Sequence, residues 1–187
     1  MAGKLPLEDR LDAAAKMAMR ASVHFDLWWL TASQEGRQEY TAIENHWEHL
    51  RFLQHGQLVA VVGEVHALLD DDKRTISLPT ILDELQRHHK HSISGAKAAL
   101  RAAKPVFRKL RLLRNNVFAH RTARKSYNAM FEDAKMTPDQ LRELINVCIA
   151  VTNEMLAALG GPLLEPSPFP KEHYAKMLKL LEDQARQ

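Results

Sequence analysis

The sequence predicts an all-α protein, an antiparallel helical bundle with an extra helix at its C-terminus. Apolar residues recur at spacings of three and four through nearly the whole chain, and no run of four or more residues alternates apolar and polar positions with the β-branched and aromatic content of a strand. The periodic segments also have the right lengths. Two long helices, a short one and two more long ones, joined by modest loops, fit up-and-down packing around a shared core.

The first helix is expected over about Leu7 to Ala32, where Leu7, Leu11, Ala14, Ala18, Ala21, Phe25 and Trp28 form one apolar stripe. Gly36 marks its break. A second helix, about Gln38 to Leu69, runs through Ile43, Trp47, Leu50, Leu58, Val61, Val65 and Leu68, with Gly56 and Gly63 as points where it can bend. Asp70, Asp71 and Asp72 end it, because acidic residues at a helix C-terminus oppose the macrodipole and belong to the following loop. Ser77 is the expected N-cap of a short third helix with Pro79 in its first turn and Ile81, Leu82 and Leu85 facing inward.

Ser94 caps a fourth helix, Gly95 to about His120, whose stripe is Leu100, Ala103, Phe107, Leu110, Leu113 and Val117. Pro105 should kink or divide it. A polar stretch from Arg121 to Lys135 reads as loop and leads to Thr137, Pro138 and Gln140, the signature of a capping box. The fifth helix starts there, buries Leu141, Leu144, Ile145, Cys148, Ile149, Met155 and Leu159, and stops at Gly160, Gly161 and Pro162. On this reading residues 1–161 form the bundle domain, and 162–187 form a Pro-rich connector and a last amphipathic helix, Lys171 to Arg186.

Composition narrows the function classes. With 187 residues, 45% hydrophobic and 26% charged, the chain is globular in character. Cys148 is the single cysteine, so internal disulfides and Cys-based zinc sites are excluded, and a reducing cytoplasm is the expected location. The N-terminus turns acidic at Glu8 and Asp9, where a signal peptide needs its apolar stretch, and the most apolar window, Leu58 to Leu69, is interrupted by Glu64 and His66. No membrane association is expected.

The net charge of +3 conceals segregation. No Asp or Glu lies between Glu84 and Glu132, and those 47 residues carry 12 Lys or Arg, leaving 14 basic against 23 acidic residues elsewhere. A stretch of about +12 beside a remainder of about −9 supplies the phosphate-neutralising field that nucleic-acid binding needs, although neighbouring acidic helices could equally match it.

At the end of the basic helix stands Arg114-Asn115-Asn116-Val117-Phe118-Ala119-His120, followed by Arg121. A histidine that exchanges protons near neutrality and a fixed cation for the phosphorane oxygens are the minimum equipment for cleaving RNA without a metal. Six residues of helix separate the two side chains by about 9 Å and roughly 120° around the axis, so one copy makes a poor complete site. A two-fold dimer of these helix ends brings two Arg and two His into one cleft.

The motif, with a polar residue directly after the arginine and the histidine at the helix end, resembles the hallmark of the HEPN superfamily of RNA-processing domains. Leu112 to Arg121, the aromatic Leu27-Trp28-Trp29-Leu30 and Ile76-Ser77-Leu78-Pro79 are similar to the branch linked to abortive-infection U-type proteins. The resemblance spans about Leu11 to Leu159. It implies a HEPN-like bundle, homodimerisation through the motif helices and metal-independent endoribonuclease activity in defence or toxin–antitoxin systems, with a possible antitoxin partner. Arg114 and His120 are then catalytic and Asn115 assists them, while Arg108, Arg111, Arg121, Arg124 and Lys125 bind RNA. In the branch paired with nucleotidyltransferase antitoxins a modified Tyr stands two places after the His; here Thr122 stands there, and Tyr127 lies in the same loop.

The alternative is a catalytically inactive HEPN-like module that binds RNA or protein, and a DNA-binding helical protein ranks lower because no short recognition helix follows a tight turn. No cofactor is expected. His88, His89 and His91 lack a nearby carboxylate, and His46 and His49 with Glu44 and Glu48 match neither HExxH nor paired ExxH motifs, so no metal site is expected. Trp28, Trp29 and Trp47 read as core or dimer interface, and Cys148 as a packing residue.

Overall fold

The computed structural model describes residues 5–72, 74–88, 93–119 and 127–185. These residues form α1 (Leu7–Ala32), α2 (Gln34–Glu39), α3 (Ala42–Asn45), α4 (Trp47–Leu69), α5 (Leu78–His88), α6 (Ser94–Ala119), α7 (Tyr127–Asp133), α8 (Pro138–Ala158) and α9 (Phe169–Ala185), with no strand among them. No helix among the described residues is long and apolar enough to cross a membrane.

The bundle consists of two helical pairs. In the first, Arg20 pairs with Glu64 at 2.7 Å and Thr31 lies at 3.5 Å from Gln54, so α1 and α4 run antiparallel. In the second, Lys109 donates to Gln140 at 3.2 Å while Gly95 lies against Glu154, so α6 and α8 are antiparallel too. The pairs join through α1 with α8 and α4 with α6. The stripe read from the first helix is the α1 core face: Leu11, Ala14, Ala18, Ala21, Phe25 and Trp28 are buried. On α8, Leu141, Leu144, Ile145, Cys148, Ile149 and Met155 are buried as their spacing requires.

The N-terminus of α8 has the expected capping box: the Gln140 amide donates to Thr137 Oγ1 at 3.2 Å and the Thr137 amide to Gln140 Oε1 at 3.3 Å. Because Gln140 Oε1 also accepts from Lys109, this cap ties α8 to the basic helix. The helix ends with Gly160 at φ 72°, a left-handed conformation that glycine adopts without steric cost, and the Gly161 amide returns to the Leu156 carbonyl at 2.8 Å.

Local expectations are corrected at several points. The second helix is divided into α2, α3 and α4, and the chain first breaks at Ser33, whose backbone is extended and whose side chain accepts from the Gly36 amide. Gly36 lies inside α2, where a Cβ would overlap the Leu30 carbonyl oxygen; close approach, not helix breaking, demands glycine there. Tyr40 is extended and buried, because it joins Leu30, Ile43, Leu50 and Leu178 in a second, smaller core. Packing against α9 overrides the helical period of this segment.

Pro105 does not divide α6. The carbonyl it leaves without an amide partner belongs to Arg101, and both residues are exposed, so water can take that acceptor. The stretch read as polar loop contains α7, where Met130, Phe131 and Ala134 are buried and Phe131 stacks on Trp28 with ring centroids 5.5 Å apart.

The last helix packs on α1 and α3. Leu178 is fully buried, and the Glu182 carboxylate accepts from the Thr41 hydroxyl and the Ala42 amide, both at 3.2 Å. The connector before it is held by Asn153, whose side chain donates to the Leu164 carbonyl at 3.1 Å and accepts from the Leu164 amide at 2.7 Å.

Candidate active site

The face that α6 turns outward follows from the face it buries. Leu110 and Leu113 are fully buried, which leaves Arg111, Arg114 and Asn115, at spacings of three and four, on one exposed side. Arg108 is exposed one turn earlier. On α4 the same logic works from Val65, Leu68 and Leu69: these are buried, and His66 and Asp70 share the adjoining half-buried face one turn apart. Phe107 of α6 meets the His66 ring at a centroid separation of 5.5 Å, bringing the C-terminal ends of the two helices together.

Between these ends lies a polar cleft of about 240 Å³ lined by His66, Asp70, Asp71, Arg111, Arg114 and Asn115. The predicted residues Arg111, Arg114 and Asn115 therefore share one site. His120, Arg121, Arg124 and Lys125 lie outside the described residues, as do His89 and His91 of the histidine cluster. Among the described residues no three His, Cys, Asp or Glu side chains gather closely enough to hold a metal ion.

Sequence reasoning missed His66, Asp70 and Asp71 as members of this site. The available signal was a histidine one turn before the run of three aspartates, but nothing in the linear sequence links that helix end to Arg114. The three aspartates have different tasks. Asp72 accepts from the Arg74 guanidinium at 2.7 Å and from its amide at 2.9 Å, which lowers the Asp72 carboxyl to about 2. Asp70 and Asp71 face the cleft, with Asp70 Oδ2 4.0 Å from His66 Nδ1.

Burial lowers the His66 pKa from its ordinary value, the positive charges of Arg114 and Arg111 lower it further, and Asp70 acts in the opposite direction. The surroundings of the imidazole thus disfavour its charged form on balance, while the neighbouring Asp70 carboxylate favours it. Cys148 takes no part: it is fully buried in α8, and burial pushes its thiol far above the ordinary range. Trp28 is likewise core, whereas Trp47 is 40% exposed at the start of α4.

Basic charge on α6 is partly matched within the fold. Asp70 and Asp71 stand beside Arg111 and Arg114, while Lys97, Arg101, Lys104 and Arg108 are exposed along the helix. Compared with known proteins, residues 4–178 match the model of the HEPN family described as AbiU2. No curated protein and no solved structure matches the chain.

Proposed function

The chain belongs to the AbiU2 family, a HEPN-type abortive-infection family, and from that premise we propose that it is a metal-independent endoribonuclease acting as a homodimer. The observation that carries this reading is the Arg114-to-His120 sequence motif, which resembles the HEPN hallmark, within the basic stretch of the chain, with Arg114 and Asn115 opening into a polar cleft. In the proposed reaction His120 of one subunit removes the proton from a ribose 2'-hydroxyl, and the 2'-oxygen attacks the adjacent phosphorus in line. The bond from phosphorus to the 5'-oxygen breaks, and the partner's His120 protonates that oxygen. Arg114 stabilises the charge that develops on the phosphorane, and Asn115 assists by orienting the phosphate. The products are a 2',3'-cyclic phosphate and a 5'-hydroxyl.

Arg108, Arg111, Arg121, Arg124 and Lys125 hold the RNA backbone in this reading, and an antitoxin protein restrains the enzyme in the cytoplasm. The test is cleavage of single-stranded RNA by the full chain and by His120→Ala, with analysis of the product ends. Loss of cyclic-phosphate products in an intact dimeric variant is expected; equal cutting by parent and variant would falsify the assignment. The second reading is a catalytically inactive RNA- or protein-binding module; Asp70 and Asp71 favour its protein-binding form, because carboxylates in the cleft weaken its attraction for phosphate. Binding by the parent without cyclic-phosphate ends would establish that reading.

A further inference from the structure

The cleft contains an imidazole that the family motif does not supply. His66 comes from α4, is 13% exposed at its side chain, and lies in the same cleft as Arg114 and Asn115 of the same chain. The six lining residues are balanced in formal charge: Arg111 and Arg114 face Asp70 and Asp71, with His66 neutral. A phosphodiester entering this cleft adds one negative charge to a site that has none to spare. Of the lining groups, His66 is the one whose ordinary titration range adjoins neutral pH.

We propose that the cleft is a phosphodiester subsite within one protomer, in which Arg111 and Arg114 hold the phosphate and His66, braced by Asp70, is a positioning residue that takes up a proton as the phosphate enters. The charged groups facing His66 are Asp70 at the end of its own helix and Arg111 and Arg114 from α6, with Asp71 in the same cleft. Before binding, the two guanidiniums oppose a charge on the ring. A bound phosphate offsets them, so the proton becomes favourable on His66, and the imidazolium in turn offsets Asp70. The carboxylate that would repel an anion is thereby neutralised only when an anion is present, and both arginines remain directed at the phosphate. The proton comes from solvent and returns there on release.

The inference takes its ligand class from the endoribonuclease reading, but its test does not require cleavage. The full chain with labelled histidines is titrated by NMR, free and saturated with a 2'-O-methyl oligoribonucleotide, which lacks the attacking hydroxyl; His66→Gln identifies the His66 signal. The His66 midpoint is expected to lie below the ordinary histidine value in the free protein and to rise on saturation. A rise of one pH unit corresponds to about tenfold tighter binding below both midpoints than above them, a difference that His66→Gln abolishes. Inorganic phosphate should move the same signal and sodium chloride at equal ionic strength should not.

An unchanged His66 midpoint at saturation overturns the proposal, as does a response that persists in Arg111→Ala with Arg114→Ala. Should His66→Gln fail to fold, through-bond assignment of the wild-type imidazoles from their backbone resonances identifies the His66 signal instead, and the titration is read as before. RNA cleavage dependent on His120 with a motionless His66 sinks this inference alone. A moving His66 in a chain that cuts nothing sinks the nuclease reading alone.

Discussion

Replacing Phe131 with Ala probes the helix that the sequence hides. Phe131 is 6% exposed and its ring lies nearly parallel to Trp28, at an interplanar angle of 17° and a centroid distance of 5.5 Å. A buried phenyl group withdraws roughly 150 Å² from water, which at ~25 cal/mol/Å² is about 4 kcal/mol. Offset stacking adds about 1 kcal/mol, and partial collapse around the cavity recovers some of the total. The expected destabilisation of Phe131→Ala is therefore about 3 to 5 kcal/mol. For a chain of this size that lowers Tm by roughly 6 to 20 °C. Urea titration followed by circular dichroism and tryptophan fluorescence measures it, with Phe131→Leu expected to restore much of the loss. A change below about 1 kcal/mol in the alanine variant would refute the packing of α7 on α1, since a buried aromatic cannot be removed so cheaply.

The other predictions concern the backbone, the cleft and the salt response. Gly36→Ala should destabilise the fold by about 1 to 3 kcal/mol because its Cβ meets the Leu30 backbone, whereas Gly56→Ala, with open space around it inside α4, should stabilise by about 0.5 to 1 kcal/mol; equal effects in urea titrations would contradict this. His66 has a folded pKa below its unfolded value, so the unfolded chain binds more protons between the two. The stability His66 contributes is present above its ordinary value of 6.5 and is lost as pH falls through the depressed one, and His66→Gln should flatten that part of the denaturation profile between neutral and mildly acidic pH. If RNA neutralises all five proposed binding cations, the logarithm of affinity should fall with the logarithm of salt concentration at a slope of about −3.5, and Arg108→Ala should reduce that slope by about 0.7. A slope unaffected by Arg108→Ala removes that residue from the interface.

The all-α class and the buried faces of the long helices could be read in advance, because a 3.6-residue apolar period is a property of each segment alone. Leu7–Ala32 and the Thr137 capping box were legible for the same reason. The segment from Ser33 to His46 was not, since Tyr40 and Ile43 leave a continuous helix only to meet Leu178, more than 130 residues further along. Nor was α7, whose Met130, Phe131 and Ala134 sit among polar neighbours and make a core face too short to show a period.

The candidate site divides along the same line. The sequence by itself determined the segregation of charge, the absence of disulfides within the chain and the placing of Arg114 and Asn115 on a basic helix, all of which depend on residue type and local spacing. Only the tertiary structure decided that His66, Asp70 and Asp71 share their cleft. The helix ends meet because Val65, Leu68, Leu110 and Leu113 must leave water together, and burying those apolar faces carries the polar residues beside them into one site.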